Sequence, residues 1–402
     1  MSNAFIPFHV PDIGEDEIQS VVETLRSGWL TTGIKAKKFE EEFAAYIGSP
    51  HAVALNSGTA ALHLALDAVG VKEGDEVIVP TMTFTATAEV VLYFKARPVL
   101  VDCQPGTLNI DPEHIARAVT PKTKAIIPVD FGGQPCDYDP ILEIARKHDL
   151  KVIEDAAHAL PASYKGRRVG TFSDITCFSF YATKTITTGE GGMATTENPE
   201  WADRMRMMSL HGISKDAWKR YTAEGSWYYE VHSPGYKYNL TDLAAALGLV
   251  QLVKCERFCD ERKRIAELYD QGFGDVPAIR RPVVRPGVQH AWHLYVIQLE
   301  LDRLRIGRNE FIEALKNENI GTSVHFIPLH LHPFYKKTFG YKPGDFPAAT
   351  DVFERIISLP IYPRMSEADV ERVIGAVRNI AQQYRRSFSK QSAVSRKQSQ
   401  RQ

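Results

Sequence analysis

The feature that most constrains the fold is an alternation of short apolar runs with helix-length amphipathic segments between about residues 50 and 200. Short, almost continuously apolar runs suit strands that are buried on both faces, as in a parallel sheet. One intervening segment repeats apolar residues at Leu62, Leu66 and Val69 and is predicted to be a helix. This alternation predicts an α/β domain with a largely parallel sheet. The predicted strands are Ala52–Leu55, Glu76–Val79, Pro98–Val101, Ala125–Val129, Lys151–Glu154, Thr176–Phe180 and Met193–Thr195.

The pattern changes after about Asn239. One long helix is predicted over Leu240–Glu267, followed by a strand at Leu294–Leu299 and helices at Asn309–Asn317 and Glu367–Tyr384. We therefore expect a large domain over residues 1–255, with its N-terminal segment lining the site, and a smaller α+β domain over 256–385. Residues 386–402 are rich in Ser, Gln, Lys and Arg and nearly devoid of apolar side chains, so we predict a disordered tail.

Composition excludes several classes of function. The formal net charge of −1 leaves no basic excess for nucleic acid or an anionic membrane as the main partner. No apolar run approaches the roughly 20 residues that span a bilayer, and the first residues lack a secretory pattern. The cysteines are scattered without a Cys-x-x-Cys pair, so we expect a reducing, cytoplasmic location and no metal site; they are Cys103, Cys136, Cys177, Cys255 and Cys259.

Two predicted strands end in polar residues at the edge where open α/β sheets bind ligands. Ala52–Leu55 leads into Asn-Ser-Gly-Thr at 56–59 and then a helix, and a helix N-terminus behind a glycine turn suits a phosphate. An ordinary helix cap is the alternative. Lys151–Glu154 leads into Asp155, whose buried charge requires a partner such as a protonated pyridine nitrogen. The alternative is that Asp155 caps the next helix, and His158 alone is typical of a structural histidine.

A third strand leads to a lysine that precedes a glycine-rich turn. Thr176–Phe180 is followed by Lys184 and then by Gly-Glu-Gly-Gly at 189–192. A lysine amine is nucleophilic only when neutral, so its site must lower its pKa. Alone, Lys184 would read as a solvated loop residue. Together, a phosphate turn, an Asp and a lysine match the contacts that pyridoxal phosphate (PLP) requires at its phosphate, ring nitrogen and reactive carbon.

On these residues the chain resembles the sugar aminotransferases of the DegT/DnrJ/EryC1/StrS family. The resemblance implies the aspartate-aminotransferase-like (type I) PLP fold and covers roughly Pro7 to Tyr384. It is carried by Asn-Ser-Gly-Thr at 56–59, Val-Ile-Glu-Asp-Ala-Ala-His-Ala at 152–159, Ser-Phe-Tyr-Ala-Thr-Lys at 179–184, Gly-Glu-Gly-Gly at 189–192, Pro-Gly-Tyr-Lys-Tyr-Asn-Leu-Thr-Asp at 234–242 and His-Ala-Trp-His-Leu-Tyr at 290–295.

The resemblance assigns roles around the cofactor. Lys184 corresponds to the catalytic lysine that binds PLP covalently, Asp155 to the partner of the pyridine nitrogen, and His158 to a residue near the 3-hydroxyl. Sugar dehydratases of the family carry His at the lysine position, so Lys184 argues against that branch. The resemblance also implies that the phosphate is held by Gly58, Thr59 and Ser179. It implies that Phe84 stacks on the PLP ring and that Asn239 reaches the phosphate from the neighbouring subunit.

Asn239 in that position implies a homodimer with shared sites. The resemblance further implies that glutamate donates the amino group and that a nucleotide-linked keto-sugar accepts it, as in cell-surface polysaccharide or lipopolysaccharide biosynthesis. The likeness is greatest to the branch that aminates C4 of UDP-linked 4-keto sugars, although Thr185 stands where many members have Asn. Expected substrate contacts are Trp29, Thr31, His325 and His330, with packed histidines as the alternative for the last two.

Three rival functions stay open on the sequence. The PLP core does not distinguish a UDP-linked sugar from a dTDP- or GDP-linked sugar, nor from a free cyclitol or other ring ketone. A non-catalytic, PLP-binding regulatory protein would also need a cofactor site. The intact pair of Lys184 and Asp155 favours an enzyme over that last reading.

Overall fold

The secondary structure follows the predicted alternation. The computed structural model describes residues 4–213 and 228–386. Its strands are β1 (His51–Leu55), β2 (Glu76–Pro80), β3 (Arg97–Val101), β4 (Thr123–Ile126), β5 (Lys151–Asp155), β6 (Ser163–Tyr164), β7 (Arg167–Arg168), β8 (Ile175–Ser179), β9 (Gly192–Thr196), β10 (Ile279–Arg280), β11 (Val288–Gln289), β12 (Tyr295–Leu299) and β13 (Ile356–Leu359). Its α-helices are α1 (Glu15–Ser27), α2 (Ile34–Ile47), α3 (Gly58–Ala68), α4 (Ala86–Leu92), α5 (Pro112–Ala118), α6 (Tyr138–His148), α7 (Pro199–Ser209), α8 (Asp242–Val253), α9 (Cys255–Phe273), α10 (Arg308–Asn317), α11 (Pro333–Phe339), α12 (Pro347–Phe353) and α13 (Glu367–Gln383).

The seven predicted strands form one sheet, in the order β1-β9-β8-β5-β4-β2-β3. The pairs β2–β3, β2–β4, β4–β5 and β5–β8 are parallel, which confirms the prediction of a largely parallel sheet. Strand β9 runs antiparallel to both of its neighbours, β1 and β8. Because β1 and β8 are both antiparallel to β9, they run in the same direction. The carboxyl ends of β1, β5 and β8 therefore lie at one edge of the sheet.

Both faces of this sheet are buried under helices. Val77 and Val79 of β2 belong to an apolar cluster that includes Leu62 of α3. Ile78, between them, belongs to a different cluster that contains Ile141 of α6. Successive side chains of a strand point to opposite faces, so a strand covered on both sides has apolar residues at every position. This is the physical reason for the continuous apolar runs in the sequence.

The predicted single helix over Leu240–Glu267 is wrong, because the chain forms α8 and α9 with a break at Lys254. Lys254 has φ −91° and ψ −2°, outside regular helical geometry. Its Nζ lies 2.8 Å from both carboxylate oxygens of Glu17, which is buried in α1. Neither Gly nor Pro marks the break, so no local signal in the sequence predicts it.

The second core lies around the antiparallel sheet β10-β12-β13. It contains Tyr295 of β12, Phe311 of α10 and Val373 of α13. Helix α9 contributes Phe258 to a cluster of the first core and Ile265 to this one. The chain therefore passes from one core to the other within α9, and the division of the chain at residues 255 and 256 stays a prediction.

Two further expectations concern the chain ends and membranes. Of the predicted disordered tail over 386–402, residues 387–402 lie outside the described residues. Across residues 4–213 and 228–386, every helix is too short or too polar to cross a membrane. Within the same ranges, no group of three or more His, Cys, Asp or Glu side chains is arranged to hold a metal ion.

Candidate active site

A cavity of about 470 Å³ opens at the shared edge of β1, β5 and β8. The tertiary structure brings together eight of the residues singled out from the sequence, and all of them line this cavity: Gly58, Thr59, Phe84, Asp155, His158, Ser179, Lys184 and His325. It also brings in residues for which no role was predicted: Thr83, Thr87, Tyr181, Thr183, Glu190, His293 and Phe326. Four of these stood in motifs quoted above, although no role was assigned to them: Tyr181, Thr183, Glu190 and His293.

The turn between β1 and α3 forms one end of the cavity. Ser57 caps α3 by accepting a hydrogen bond from Ala60 N at 3.0 Å. Gly58, the first residue of α3, approaches β8 so closely that a Cβ atom on it would lie 3.0 Å from Cβ of Ser179. Thr59 and Ser179 line the same cavity as the N-terminus of α3. Such an end attracts anions, so these residues fit the phosphate of PLP.

Asp155 is the last residue of β5 and only 6% exposed. Its Oδ2 accepts a hydrogen bond from Oγ1 of Thr87 at 2.8 Å, and its Oδ1 accepts one from Ala157 N at 3.2 Å. Burial raises the pKa of Asp155, while the bonds from Thr87 and Ala157 and the nearby Lys184 oppose that rise. The following residues form turns rather than a helix, so the helix-cap alternative is wrong. A buried carboxylate here suits a cationic partner such as a protonated pyridine.

Lys184 follows β8 and extends into the same cavity. Burial lowers the pKa of its amine to about 8, and attraction to Asp155 opposes this change. Its backbone N–H is bound to the carbonyl of Tyr181 at 2.9 Å, which fixes a tight turn after the strand. A lysine amine with a pKa near 8 has a substantial neutral fraction near neutral pH, so it can act as a nucleophile and as a base.

The glycine-rich segment after Lys184 packs against the phosphate turn. A Cβ atom on Gly192 would lie 2.4 Å from the carbonyl of Ser57, so β9 could not approach α3 with any other residue there. Thr187 and Thr188 are buried, and their hydroxyls bind backbone carbonyls of the same loop at 3.1 Å and 2.7 Å. The small side chains thus fix the relative position of Lys184 and the phosphate turn.

Histidines form the opposite wall of the cavity. The rings of His158 and His293 are 4.4 Å apart, and His325 stacks on Phe8 at 5.5 Å. Nδ1 of His325 lies 2.8 Å from Oγ of Ser358. Burial lowers the pKa of all three histidines, that of His325 to about 4, and the charge of Lys184 lowers them further. The wall is therefore polar and neutral at physiological pH.

Phe84 stands at the rim of the cavity and is 60% exposed. Its ring centroid is 6.1 Å from that of Phe326. An exposed aromatic ring beside a cavity leaves apolar surface available for stacking, which fits the expected contact with the PLP ring.

Four expected site residues lie elsewhere. His330 is fully buried, with Nδ1 2.7 Å from Oγ1 of Thr81 and Nε2 3.0 Å from Oγ1 of Thr350, so the packed alternative describes it. The other three, Trp29, Thr31 and Asn239, lie together near Thr32. Nε1 of Trp29 donates a hydrogen bond to the carbonyl of Thr32 at 3.2 Å, and Nδ2 of Asn239 donates one to the hydroxyl of Thr32 at 2.6 Å. Thr31 is exposed, and its carbonyl accepts a hydrogen bond from Asp242 N at 3.0 Å.

The fold and this site define an aminotransferase. The chain matches the DegT/DnrJ/EryC1/StrS aminotransferase family over residues 11–378, and it belongs to that family. An uncharacterised protein of Methanocaldococcus jannaschii is 56% identical over 382 residues, which cover 95% of this chain and 99% of the relative. The spore coat polysaccharide biosynthesis protein SpsC of Bacillus subtilis is 55% identical over 379 residues, covering 94% and 97% of the two chains.

Solved structures place the chain in PLP fold type I. The Streptococcus pneumoniae protein Spr1654, described as a sugar aminotransferase, is 39% identical in its PLP form, with a TM-score of 0.88 over 94% of this chain and 99% of that one. The same protein is also known in its pyridoxamine phosphate form. The cofactor of this chain is accordingly PLP, as the sequence predicted.

Proposed function

We propose that this aminotransferase moves the amino group of glutamate to a nucleotide-linked keto-sugar. The observation that carries the proposal is the approach of Lys184 to buried Asp155 in one cavity, with the N-terminus of α3 open at its end. The relatives support the class of acceptor, since Spr1654 is described as a sugar aminotransferase and SpsC as a polysaccharide biosynthesis protein.

Each end of the cofactor has a suitable partner in the cavity. Gly58, Thr59 and Ser179 would hold its phosphate, because the N-terminus of α3 and two hydroxyls supply donors there. Asp155 would bind the ring nitrogen, and Phe84 would cover one face of the ring. When bound, PLP supplies the electron sink that lets a proton leave and return at the substrate carbon.

Lys184 would both attach the cofactor and carry that proton. With a pKa of about 8, roughly a tenth of its amine is neutral at about pH 7, whereas an ordinary lysine is almost fully charged there. The neutral amine accepts a proton from the substrate carbon and the charged amine returns one, so both directions of transfer are available to one group.

The histidine wall would contact both the cofactor and the sugar, with His158 near the 3-hydroxyl of PLP. His158, His293 and His325 are neutral, so their rings offer hydrogen bonds to hydroxyl or keto oxygens without a repulsive charge toward Lys184. The glutamate and the sugar use the same cavity in turn, which is the requirement of a two-step exchange of the amino group. His325 is the member of this wall that we propose as a substrate contact.

A second copy of the chain would complete the site. Trp29, Thr31 and Asn239 form a group outside the cavity, near a second cavity of about 380 Å³ that is lined by Thr32 and Asn239. We propose that this group faces the cavity of the partner subunit in a homodimer, with Asn239 toward its phosphate and Trp29 and Thr31 toward its sugar. The sequence favours a cytoplasmic location for this dimer.

The acceptor that the sequence favours is a UDP-linked 4-keto-sugar, aminated at C4. We would test it with purified protein loaded with PLP. Addition of glutamate should convert the visible absorption band of lysine-bound PLP to the near-ultraviolet band of pyridoxamine phosphate. A UDP-linked 4-keto-sugar added next should restore the first band and yield an amino sugar.

The same assay separates the rivals. Faster recovery with a dTDP- or GDP-linked sugar, or with a free cyclitol ketone, would replace the acceptor and leave the chemistry intact. Failure of every amino donor to change the spectrum would favour a PLP-binding regulatory protein. A Lys184→Ala variant that still turned over glutamate would contradict the role of Lys184.

A further inference from the structure

Two threonine hydroxyls form a chain that ends on Asp155. Oγ1 of Thr87 lies 2.8 Å from Oδ2 of Asp155 and 2.8 Å from Oγ1 of Thr83. An ionised carboxylate only accepts hydrogen bonds, so Thr87 donates its single hydroxyl proton to Asp155. Thr83 must then donate to Thr87. The chemistry of the groups thus fixes the direction of both bonds, and both point toward the carboxylate.

These three residues are largely shielded from water. Thr83, Thr87 and Asp155 are 2%, 0% and 6% exposed. In such a site a hydrogen bond to a charged group is stronger than in water, and aligned bonds polarise one another. A lost donor would also not be replaced by solvent, so the carboxylate would be left short of a partner.

The other donor to Asp155 cannot substitute for Thr87. The backbone N–H of Ala157 binds Oδ1, the opposite oxygen of the carboxylate, at 3.2 Å. Thr87 lies at the start of α4, so its bond connects the α4 side of the cavity to the end of β5 across 68 residues of sequence. Of the two hydrogen bonds to Asp155, the bond from Thr87 comes from the more distant part of the chain. It therefore fixes the plane of the carboxylate independently of the turn that follows β5.

We propose that Thr87, supported by Thr83, is a positioning residue that keeps Asp155 ionised and oriented toward the ring nitrogen of PLP. The inference rests on the proposed role of Asp155. With the donor present, the shared proton stays on the ring nitrogen and the carboxylate stays negative. Without it, the carboxylate would bind the shared proton more strongly, the ring nitrogen would be protonated less often, and the cofactor would supply a weaker electron sink.

The test measures where that proton lies. Holoprotein loaded with PLP carrying nitrogen-15 in its ring would be examined by NMR, whose nitrogen shift distinguishes a protonated from a neutral pyridine. The wild-type protein and Thr87→Ser, which keeps the hydroxyl, should both show a protonated ring. Thr87→Val, which removes only the hydroxyl, should shift the signal toward neutral pyridine. Thr83→Val should give a smaller shift in the same direction, and it serves if Thr87→Val folds poorly.

A second measurement removes the ring nitrogen instead of the hydroxyl. Thr87→Val should weaken PLP binding by about tenfold, the value of a hydrogen bond to a charged group. The same variant should lose much less affinity for a PLP analogue in which a C–H group replaces the ring nitrogen. Equal losses for both compounds would mean that Thr87 acts only through packing, and the inference would be overturned.

Thr176→Val is the matched control. Thr176 is also buried, and its hydroxyl donates to a carboxylate, Oε2 of Glu154, at 2.6 Å. This variant should lose stability while its ring nitrogen stays protonated. A fully protonated ring in Thr87→Val would refute the inference about Thr87. A neutral ring in the wild-type protein would instead refute the role of Asp155 on which the inference rests.

Discussion

The backbone N–H of Gly132 donates a hydrogen bond to Nδ1 of His158 over 3.2 Å. A backbone N–H has no lone pair to offer, so Nδ1 carries no proton. Burial also lowers the pKa of His158 well below its usual value, which keeps the ring neutral. The remaining proton must lie on Nε2. His158 is therefore a hydrogen-bond donor through Nε2, set in one tautomer by the chain itself.

This arrangement predicts that His158 does not titrate between about pH 5 and 8, where an ordinary histidine does. Nitrogen-15 NMR of labelled protein should show His158 as the neutral tautomer with its proton on Nε2 across that range. A signal from His158 that moved to the doubly protonated form above pH 5 would contradict the prediction.

Gly58→Ala should weaken PLP binding. The added Cβ would lie 3.0 Å from Cβ of Ser179, so the phosphate turn or β8 must shift. Overpacking of this kind costs about 1–3 kcal/mol, which corresponds to a roughly tenfold or greater loss of affinity if the shift falls on the phosphate site. Gly344→Ala is the control, because an added Cβ there meets no atom within 4 Å. Binding as tight as wild type in Gly58→Ala would show that the turn is not a phosphate cradle.

His325 and His330 should respond differently to the same substitution. His325→Asn changes a cavity wall, and we expect about a tenfold rise in KM for the sugar, together with a loss of stability because the bond to Ser358 is also broken. His330→Asn breaks bonds to Thr81 and Thr350, and we expect a loss of about 1–3 kcal/mol in the free energy of unfolding with KM unchanged. Steady-state kinetics and urea unfolding of both variants would decide. The reverse pattern would restore His330 as the substrate contact.

His63 should make the protein sensitive to acid. Its ring lies 4.6 Å from Tyr236 and 5.0 Å from Phe94, and burial lowers its pKa to about 4. A histidine whose folded pKa is depressed binds a proton more readily when unfolded. Its contribution to stability is therefore complete above the unfolded pKa of about 6.5 and is lost as pH falls toward 4.

The measurement compares His63→Phe with the wild type, because phenylalanine fits the aromatic surroundings and cannot titrate. Between about pH 7.5 and 5.5 the variant should gain about 1.4 kcal/mol in the free energy of unfolding relative to the wild type. Urea unfolding at the two pH values gives this difference directly, and effects of other groups cancel in it. If the difference in the free energy of unfolding between variant and wild type were the same at both pH values, His63 would have an ordinary pKa in the folded protein.

Sequence reasoning recovered most of the large sheet because its signals are local. All seven predicted strands exist, and their apolar runs reflect burial on both faces. Strand β4 ends at Ile126, before the predicted Val129, because Pro128 in the intervening segment has no N–H to continue a ladder. The break at Lys254 was missed since neither Gly nor Pro marks it, and the contact that Lys254 makes there is with Glu17, more than two hundred residues away.

The same distinction holds for the site. Asp155, Lys184 and the turn at Gly58 were found because each follows a strand directly and carries its chemistry in a short motif. No role was predicted for Thr87, in α4, or for His293, which precedes β12. Neither residue has a local sequence feature that distinguishes it from a packed residue. His325 and His330 stand five positions apart in one segment, yet one lines the cavity and the other is buried against Thr81.

The sequence by itself therefore determined the strands of the large sheet, the identity of the cofactor and the residues at three strand ends. Periodicity and motifs specify these, since they depend on neighbours along the chain. Only the tertiary structure decided which side chains meet in the cavity, that its histidines are neutral, and that Lys184 has a lowered pKa. Burial and hydrogen-bond partners come from segments far apart in sequence, and these set the energy of each charge.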